Sequence, residues 1–383
     1  MRVLLLITHM DDHGGAQSHV GALARGLSAA GDEVTVVHGG AGAARCVEPG
    51  RRLHVRALPP LRRALGLRAD LGAARAVRRL LVAERPDVLH LHSSKAGALG
   101  SWASLTVAAP AIPTVFTAHG WSAITAAPGG SLGRAAAALG FRLAVAPATR
   151  VVTLSEHDFA VAQDAGVALP PRLCRMPLGI SDLAATAEGV GAPTSAAAPL
   201  RLVTVARHCW HKDAATLLDA LAQLRELPWT LDWLGGGPEL GASQVRIKAL
   251  GLGDRVRLHG DVRDVSSRLS QAQAFVLASR AEGLPIAVLE AMRAGLPVIA
   301  SDVGAIGEAI GEGGWLVPPG DPTALATALG EAGICHDMRR DRGAIGRWRF
   351  GQHYSEKAMI ADHRALYARL VAGAGSVAGV ERR

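Results

Sequence analysis

Two glutamates with seven residues between them, Glu282 and Glu290, have the spacing in this sequence that most suggests chemistry. Pro285 lies between them and suits the first turn of a helix. The N–H groups of Ile286 and Ala287 then lack partners inside that helix, and a helix N-terminus favours phosphate. Carboxylates on either side accept hydrogen bonds from hydroxyl groups. The segment therefore predicts a site for a sugar nucleotide.

The elements that must position these glutamates are indicated by the flanking residues. Short apolar runs at Ala274–Ala278 and Val298–Ala300 are bounded by turn residues, which is typical of buried parallel strands. Glu282 follows the first strand, and Glu290 lies about one turn into the next helix. The pattern predicts a strand, an acidic loop, a helix and a second strand.

Glu282, Glu290 and the following Gly295-Leu-Pro-Val-Ile-Ala-Ser301 resemble the E-x7-E region of the retaining glycosyltransferases of family 4. The resemblance implies an α/β protein of GT-B architecture, with two Rossmann-like domains and an interdomain cleft. It also implies transfer of a hexose-type sugar from a nucleotide diphosphate sugar to a hydroxyl acceptor, with retention at the anomeric carbon. Glu290 would bind the ribose and Glu282 the donor hexose.

Arg207 and Lys212 form a second motif. Arg207 follows a predicted strand and Lys212 precedes a predicted helix. They resemble the family's Gly-Arg-x4-Lys-Gly element, with Ala206 and Asp213 in place of its glycines. A guanidinium and an ammonium group at this turn stabilise the charge on a leaving diphosphate without metal. We therefore expect no metal and no cofactor besides the donor, which we expect to be a UDP-sugar.

Glycine turns complete the predicted donor site. Gly14-Gly15 follows the first predicted strand and resembles the family loop that approaches the diphosphate, and Gly235-Gly-Gly237-Pro resembles a turn near the nucleotide. An ordinary tight turn is the alternative for the first pair. The full donor-binding prediction is Gly14, Gly15, Gly235, Gly237, Leu284, Pro285, Ile286, Ala287 and Glu290.

His119 completes the predicted catalytic set with Arg207, Lys212 and Glu282. It ends a predicted strand in a Thr-Ala-His-Gly-Trp segment. It resembles the family residue near the C6 hydroxyl of the donor sugar and the reacting centre. Trp121 is predicted to contact the acceptor, and residues 122–133, rich in Gly, Ala and Ser, are predicted to form a mobile acceptor loop.

Three further acceptor contacts are predicted. Gln17 and His19 belong to Gly-Gly-Ala-Gln-Ser-His-Val, which resembles a family segment. Lys95 belongs to His-Ser-Ser-Lys-Ala-Gly, which resembles family members that build bacterial capsular polysaccharides and exopolysaccharides. Lys95 at the carboxyl end of a strand suits an anionic acceptor; a lysine capping a loop is the alternative. This segment favours a lipid-linked polysaccharide precursor as the acceptor, and a small natural product is the alternative.

The formal charge of +8 is concentrated in one segment. Residues 45–85 contain eleven arginines and three acids. This patch fits either a solvated arginine-rich helix or peripheral contact with an anionic membrane. The segment lacks interleaved aromatic residues, so we expect no nucleic acid partner.

Cysteine usage and hydropathy indicate a cytoplasmic protein, with contact at the inner face of the membrane left open. The four cysteines are scattered, without the pairing of a zinc site or a disulfide framework. No secretory signal is expected, because the apolar run Val3–Ile7 is short and is soon followed by Asp11. No membrane-spanning helix is expected either, because prolines and glycines interrupt the uncharged residues Ala96–Gly133.

The predicted domains are 1–183 for the acceptor, a linker at 184–199, 200–352 for the nucleotide sugar, and a helix at 353–383 that crosses back to the first domain. A nucleotide-sugar 2-epimerase and a non-catalytic GT-B scaffold are the rival functions. No carboxylate is placed as a nucleophile, so we expect a front-face mechanism.

Overall fold

Alternating apolar runs and helical segments build one parallel sheet in each of two units. The computed structural model describes residues 1–380 apart from 12–13, 41, 43, 65, 108–110, 126, 128 and 183–198. Unit 1 comprises Met1–Gly179 and the last helix, and unit 2 comprises Ile180–Ser355. The predicted linker falls almost entirely outside the described residues. The predicted cleft stays a prediction.

The sheet of unit 1 has seven strands in the order β3-β2-β1-β4-β5-β6-β7. Successive side chains of a strand point to opposite faces. Val3, Leu5 and Ile7 therefore pack into one hydrophobic core, while Leu4 and Leu6 pack into another on the opposite face. The strands are β1 Arg2–Ile7, β2 Glu33–Gly39, β3 Leu53–Leu58, β4 Val88–His92, β5 Thr114–Thr117, β6 Arg150–Thr153 and β7 Leu173–Arg175.

Helices cover both faces of this sheet. They are α1 Gly15–Ala29, α2 Leu67–Glu84, α3 Ser94–Ser104, α4 Ser122–Thr125, α5 Gly130–Ala144, α6 Glu156–Asp164 and, at the end of the chain, α14 Glu356–Val380. Leu366, Tyr367 and Leu370 of α14 belong to the same core as Val3. Arg364 of α14 also binds Asp32, with Nε 2.8 Å from Oδ2. The last helix is therefore part of unit 1.

The prediction of a loop at residues 122–133 was wrong. The structure has α4 at Ser122–Thr125, and α5 begins at Gly130. Gly129 precedes α5 with φ of +89°, a conformation that glycine adopts without steric cost. The alanine-rich residues after it favour helix, so they outweigh the glycines that suggested a loop.

The sheet of unit 2 has six strands in the order β10-β9-β8-β11-β12-β13. The strands are β8 Leu200–Val205, β9 Trp229–Leu234, β10 Val256–Gly260, β11 Ala274–Leu277, β12 Val298–Ser301 and β13 Gly314–Val317. The helices are α7 Ala214–Gln223, α8 Leu240–Ala249, α9 Val265–Gln271, α10 Ile286–Arg293, α11 Ile306–Ile310, α12 Pro322–Ile334 and α13 His336–His353. The sequence analysis did not predict α8, α9, α11 or α13.

Each sheet has a point at which the strand order reverses. In unit 1 the chain runs from β1 outwards through β2 and β3, then returns to place β4 on the other side of β1. In unit 2 the same change occurs at β8, which pairs with β9 and β11. Open α/β sheets bind ligands beyond the carboxyl ends of the strands at this point. The two reversals therefore define where a site is expected in each unit.

Candidate active site

Lys212 and Glu282 contact each other directly in unit 2. Nζ of Lys212 lies 2.6 Å from Oε1 of Glu282, and Oγ of Ser279 donates to the same oxygen at 2.7 Å. The side chains of Lys212 and Glu282 are only 14% and 9% exposed. The sequence analysis assigned these two residues separately to diphosphate and to sugar. The structure shows that they also form one ion pair.

The loops that carry this pair follow the adjacent strands β8 and β11. Lys212 ends a short 3₁₀ turn, Trp210–Lys212. The next residue, Asp213, caps α7 by accepting from the backbone N–H of Thr216 at 3.5 Å, and its other oxygen accepts from Thr216 Oγ1 at 2.8 Å. Arg280 in the second loop donates to Asp213 Oδ1 at 2.9 Å. The aspartate that replaces the family glycine therefore joins the two loops and holds Lys212 near Glu282.

Two glycines allow the loops after β8 and β9 to approach each other. Gly235 and Gly237 have φ of +136° and +142°. A Cβ atom at Gly235 would lie 2.3 Å from the carbonyl oxygen of Ala206, and one at Gly237 would lie 2.5 Å from that of His208. Arg207, whose side chain is exposed, lies between those two residues. The structure thus explains both glycines by close packing, and their contact with the donor stays a prediction.

Helix α10 begins at Ile286, one residue later than the sequence suggested, because Pro285 is its N-cap. The first N–H groups of a helix lack partners within it, and those of Ile286 and Ala287 are at this position; anion binding by them stays a prediction. Leu284 and Pro285 are buried beneath this turn. A Cβ atom at Gly304 would lie 2.4 Å from the carbonyl oxygen of Glu282. Gly304 therefore supports the acidic loop, although the sequence analysis did not include it in the site.

Glu290 lies on α10 and is half-buried. Burial raises the pKa of its carboxyl group, and the nearby Arg293 opposes this shift. Arg293 donates to the carbonyl oxygen of Ser181 at 2.8 Å and to Oγ of Ser266 at 3.1 Å. A carboxylate in such surroundings accepts stronger hydrogen bonds than one in water. This environment fits the predicted bond to ribose hydroxyls.

A cluster of five imidazole rings lies in unit 1, and we call it the histidine cluster. Nδ1 of His92 is 3.2 Å from Nε2 of His119. The centre of the His19 ring is 5.1 Å from that of His119 and 5.6 Å from that of His92. His90 binds Tyr367 Oη through Nδ1 at 2.5 Å and Thr117 Oγ1 through Nε2 at 2.7 Å. The members are His19 of α1, His90 and His92 of β4, His119 after β5, and His363 of α14.

Burial lowers the pKa of every ring in the cluster. His119 is half-buried, and its pKa falls to about 4. The pKa values of His19, His90 and His92 are well below the ordinary value, first because of burial and then because of repulsion from neighbouring rings. The pKa of His363 is lowered as well, again mainly by burial. The cluster is therefore uncharged near neutral pH.

Sequence reasoning identified only His19 and His119 in this cluster. His90 and His92 are two residues apart on β4 and point to the same face, a signal that was available in the sequence. His363 comes from the far end of the chain, and nothing in its local sequence indicates its position. Over the described residues, no group of three or more His, Cys, Asp or Glu side chains is arranged to hold a metal ion.

Two other residues predicted to contact the acceptor, Lys95 and Trp121, contact other parts of the protein. Nζ of Lys95 is 2.5 Å from Oδ1 of Asp70 and donates to the carbonyl oxygen of Ala64 at 2.5 Å, so the lysine secures α2 and its preceding loop. Trp121 is 1% exposed, and its ring packs edge-on against Phe141. Placing Trp121 on an acceptor surface does not fit this structure, because the apolar ring is buried in the core.

Gln17 is also buried, and its Nε2 lies 2.8 Å from Nε2 of His9. Gly14 is the N-cap of α1, and Gly15 is the first residue of that helix. The two glycines therefore lie where the chain leaves β1, at the reversal of strand order in unit 1. Their roles in binding, and that of Gln17, stay predictions.

The two parallel Rossmann-like sheets, together with matches to known proteins, identify a glycosyltransferase of GT-B fold. Residues 13–181 match the sequence model described as Glycosyltransferase Family 4, and residues 199–332 match that of Glycosyl transferases group 1. The chain belongs to glycosyltransferase family 4. The predicted family and fold are confirmed, and the match gives no support to the rival 2-epimerase.

Two relatives illustrate the range of the family. A phosphatidyl-myo-inositol mannosyltransferase of Mycobacterium leprae is 30% identical over 354 residues, which cover 89% of this chain and 90% of the relative. A putative colanic acid biosynthesis glycosyltransferase of Salmonella typhimurium is 29% identical over 203 residues, which cover 50% of this chain and 49% of that protein.

Two solved structures share the fold. Sucrose-phosphate synthase from Thermosynechococcus elongatus has a TM-score of 0.84 at 22% identity, covering 97% of this chain and all of that one (100%). Anabaena HepE in complex with UDP-glucose has a TM-score of 0.78 at 18% identity, covering 96% and 100%. At these identities the similarity establishes the fold alone.

Proposed function

We propose that this family 4 glycosyltransferase transfers a hexose-type sugar from a UDP-sugar to a hydroxyl group, with retention and without a metal ion. The observation that carries the proposal is the Lys212–Glu282 pair, which lies beside the strand reversal of unit 2. The structure of Anabaena HepE, which shares this fold, contains UDP-glucose, and this supports UDP as the nucleotide of the donor. The donor diphosphate would bind on unit 2, at Arg207, Lys212 and the start of α10.

The ion pair does not prevent Lys212 from binding diphosphate. An ammonium group has three N–H donors, so one can bind Glu282 while the others bind phosphate oxygens. Oε1 of Glu282 already accepts from Lys212 and Ser279. We therefore assign Oε2 to a hydroxyl of the donor hexose. Glu282 then aligns the lysine and the sugar at once.

The reaction we propose occurs on one face of the sugar. The bond from the anomeric carbon to the β-phosphate oxygen breaks, and the acceptor oxygen bonds to the same face of that carbon. The acceptor proton passes to the leaving phosphate oxygen, so the products are UDP and the glycoside. Arg207, Lys212 and the N–H groups that begin α10 stabilise the negative charge as the diphosphate leaves.

Nucleotide binding tests this donor site. We expect calorimetric titration in the presence of a chelator to show binding of UDP in preference to GDP, ADP and dTDP. Binding that requires a divalent ion, or no binding at all, would contradict the proposal and favour the non-catalytic scaffold. The anomeric configuration of the product, measured by NMR against that of the donor, separately tests retention.

We propose a lipid-linked polysaccharide precursor as the acceptor. Named relatives act in colanic acid biosynthesis and on phosphatidyl-myo-inositol, which supports a lipid-linked glycan over a small natural product. Transfer to a lipid-linked extract and to a panel of small aglycones would separate the two. Activity on the aglycones alone would contradict this acceptor.

Unit 1 has a surface that suits a bilayer beside such an acceptor. Nε1 of Trp102 donates to the carbonyl oxygen of Leu143 at 3.1 Å, so α3 and α5 present their exposed apolar residues together. Nε of Arg78 on α2 donates to the carbonyl oxygen of Thr106, just after α3, at 3.2 Å, and α5 carries further exposed arginines. The exposed apolar side chains are Leu67, Leu71, Trp102, Leu105, Leu132, Leu139 and Leu143, and the exposed arginines include Arg75, Arg78, Arg79, Arg134 and Arg142.

We propose that this surface makes peripheral contact with an anionic membrane, as predicted for residues 45–85 and extended to α5. No described helix has the length and hydropathy to span a bilayer. The double variant Arg75→Glu/Arg79→Glu should lose binding to phosphatidylglycerol-containing vesicles, and added salt should weaken wild-type binding. A double variant of equal charge change on unit 2, Arg225→Glu/Arg340→Glu, is the control. Equal binding by both variants would contradict the proposal.

A further inference from the structure

Two neighbouring strands bring His92 and His119 together. β4 pairs with β5 so that His92 is opposite Thr117, two residues before His119. The His92 side chain is fully buried, whereas His119 is half-buried. Nδ1 of His92 and Nε2 of His119 are 3.2 Å apart. The inner nitrogen of His119 is therefore held by His92, and its outer nitrogen, Nδ1, is left for a ligand.

This contact constrains where the protons are. Both rings are neutral, so one nitrogen of the contact donates and the other accepts. The second nitrogen of His92, Nε2, is buried without a hydrogen-bond partner. A buried N–H without a partner is less tolerated than a buried acceptor without one. The proton of His92 is therefore best placed on Nδ1, which makes Nε2 of His119 the acceptor.

The surrounding rings leave His92 with no better partner. Its ring neighbours are His19, His90 and His119. His90 has both nitrogens engaged, by Tyr367 and Thr117, and both ring nitrogens of His19 are buried without a partner. His363 donates through Nδ1 to the carbonyl oxygen of Met359 at 2.8 Å. His119 is thus the hydrogen-bond partner of His92 Nδ1.

We propose that His92 is a positioning residue, which donates from Nδ1 to Nε2 of His119 and so keeps the His119 proton on Nδ1, the nitrogen available to a bound sugar. The catalytic part of this statement rests on the proposed function of His119. The hydrogen bond and the tautomer do not depend on it. His119 then acts as a neutral N–H donor to a sugar hydroxyl, in a fixed orientation.

Nitrogen NMR of the full-length protein, labelled at histidine with nitrogen-15, tests the tautomer directly. We expect His119 to show a protonated Nδ1 and an unprotonated Nε2, and His92 to show a protonated Nδ1. His119→Asn and His92→Asn supply the assignments by loss of signals, and His54→Asn on exposed β3 is the control outside the cluster. A protonated Nε2 in wild-type His119 would overturn the proposal, as would a spectrum of these two rings that changes with chelator.

Two substitutions then separate positioning from packing. The amide nitrogen of Asn can occupy the place of Nδ1, so His92→Asn should keep the tautomer and a kcat within about twofold of wild type. His92→Phe has no hydrogen-bond donor at this position, so His119 should become a mixture of its two neutral tautomers. We expect kcat to fall by about three- to tenfold, which corresponds to the loss of one neutral hydrogen bond. The KM for the donor should stay unchanged. An unaltered tautomer in folded His92→Phe would refute the inference. If the tautomer is as proposed but no transfer is found, only the proposed function fails.

Discussion

The two units use opposite electrostatics at the same place in their sheets. In unit 2 the site is a charge-balanced pair, in which Lys212 and Glu282 are 2.6 Å apart and mostly buried. In unit 1 it is a cluster of neutral imidazoles, whose pKa values are depressed by burial. A balanced pair keeps a cation ready for an anionic ligand, whereas five adjacent cations would repel one another. The difference predicts that acid should destabilise unit 1 more than unit 2.

Acidification should give the largest effect. A group whose folded pKa is depressed contributes stability above its unfolded pKa, and this stability is lost as pH falls through the folded value. For His119 the window runs from 6.5 down to about 4. This ring alone then costs unit 1 about 2 kcal/mol near pH 5, at about 1.4 kcal/mol for each pH unit. The other four rings, lowered in the same direction, add to it.

Unit 2 should lose less stability in acid: burial lowers the pKa of His208 and His211 there, but it raises the folded pKa of Glu290. The contribution of Glu290 to stability is present at low pH and is lost as pH rises through the folded value. Hydrogen exchange of the full-length protein, corrected for intrinsic rates, should therefore show early loss of protection in β4, β5 and α14 on acidification, with β8, β11 and α10 still protected. Simultaneous loss of protection in both units would show that acid does not destabilise unit 1 more than unit 2.

Removing the cation of the charged pair should have the next largest effect. Lys212→Ala leaves Glu282 unpaired and removes a stabilising charge from the leaving diphosphate, so kcat should fall by about 100- to 1000-fold. Lys212→Arg should recover part of this loss. Lys248→Ala, which changes an exposed lysine of the same unit, is the control. A loss of less than tenfold in Lys212→Ala would assign the charge stabilisation to other groups.

Glu290→Ala should have a smaller effect. A hydrogen bond to a charged group contributes about 1.5–3 kcal/mol, so donor affinity should fall roughly tenfold to a hundredfold. In wild type, donor affinity should also weaken as pH falls through the raised pKa of this carboxyl group, because its protonated form loses the charge. Calorimetric titration with the donor measures this loss, and Glu312→Ala, which changes an exposed glutamate, is the control variant. Unchanged affinity would show that Glu290 does not bind the ribose.

Lys95→Ala should have the smallest effect. Lys95 already binds Asp70, and the pKa of Asp70 is lowered chiefly by this hydrogen bond. Losing the pair should cost about 1 kcal/mol in the free energy of unfolding, and the acceptor KM should stay within about twofold. Asp70→Ala is the matched variant, since it breaks the same pair from the other side. A much larger rise in the acceptor KM for Lys95→Ala, without a similar rise for Asp70→Ala, would support the predicted contact between Lys95 and the acceptor.

Sequence patterns located most strands because buried parallel strands are short continuous apolar runs. The missed helix α13 is rich in arginine and polar residues, so its sequence lacks a strong apolar face. Arg349 instead donates to the carbonyl oxygens of Ala309 and Glu308, and these partners are distant in sequence. Tertiary contacts hold this helix in place, and local propensity does not reveal them.

The sequence by itself determined the α/β class, through its apolar periodicity, and the family, through the resemblance of its motifs; the roles of the charged residues in donor binding stay predictions. Only the tertiary structure decided which residues meet. Lys212 reaches Glu282 across 70 positions because β8 pairs with β11. His92 reaches His119 because β4 pairs with β5. His363 joins them because α14 packs on unit 1. Strand order and helix docking depend on the whole hydrophobic core, so no local pattern specifies those contacts.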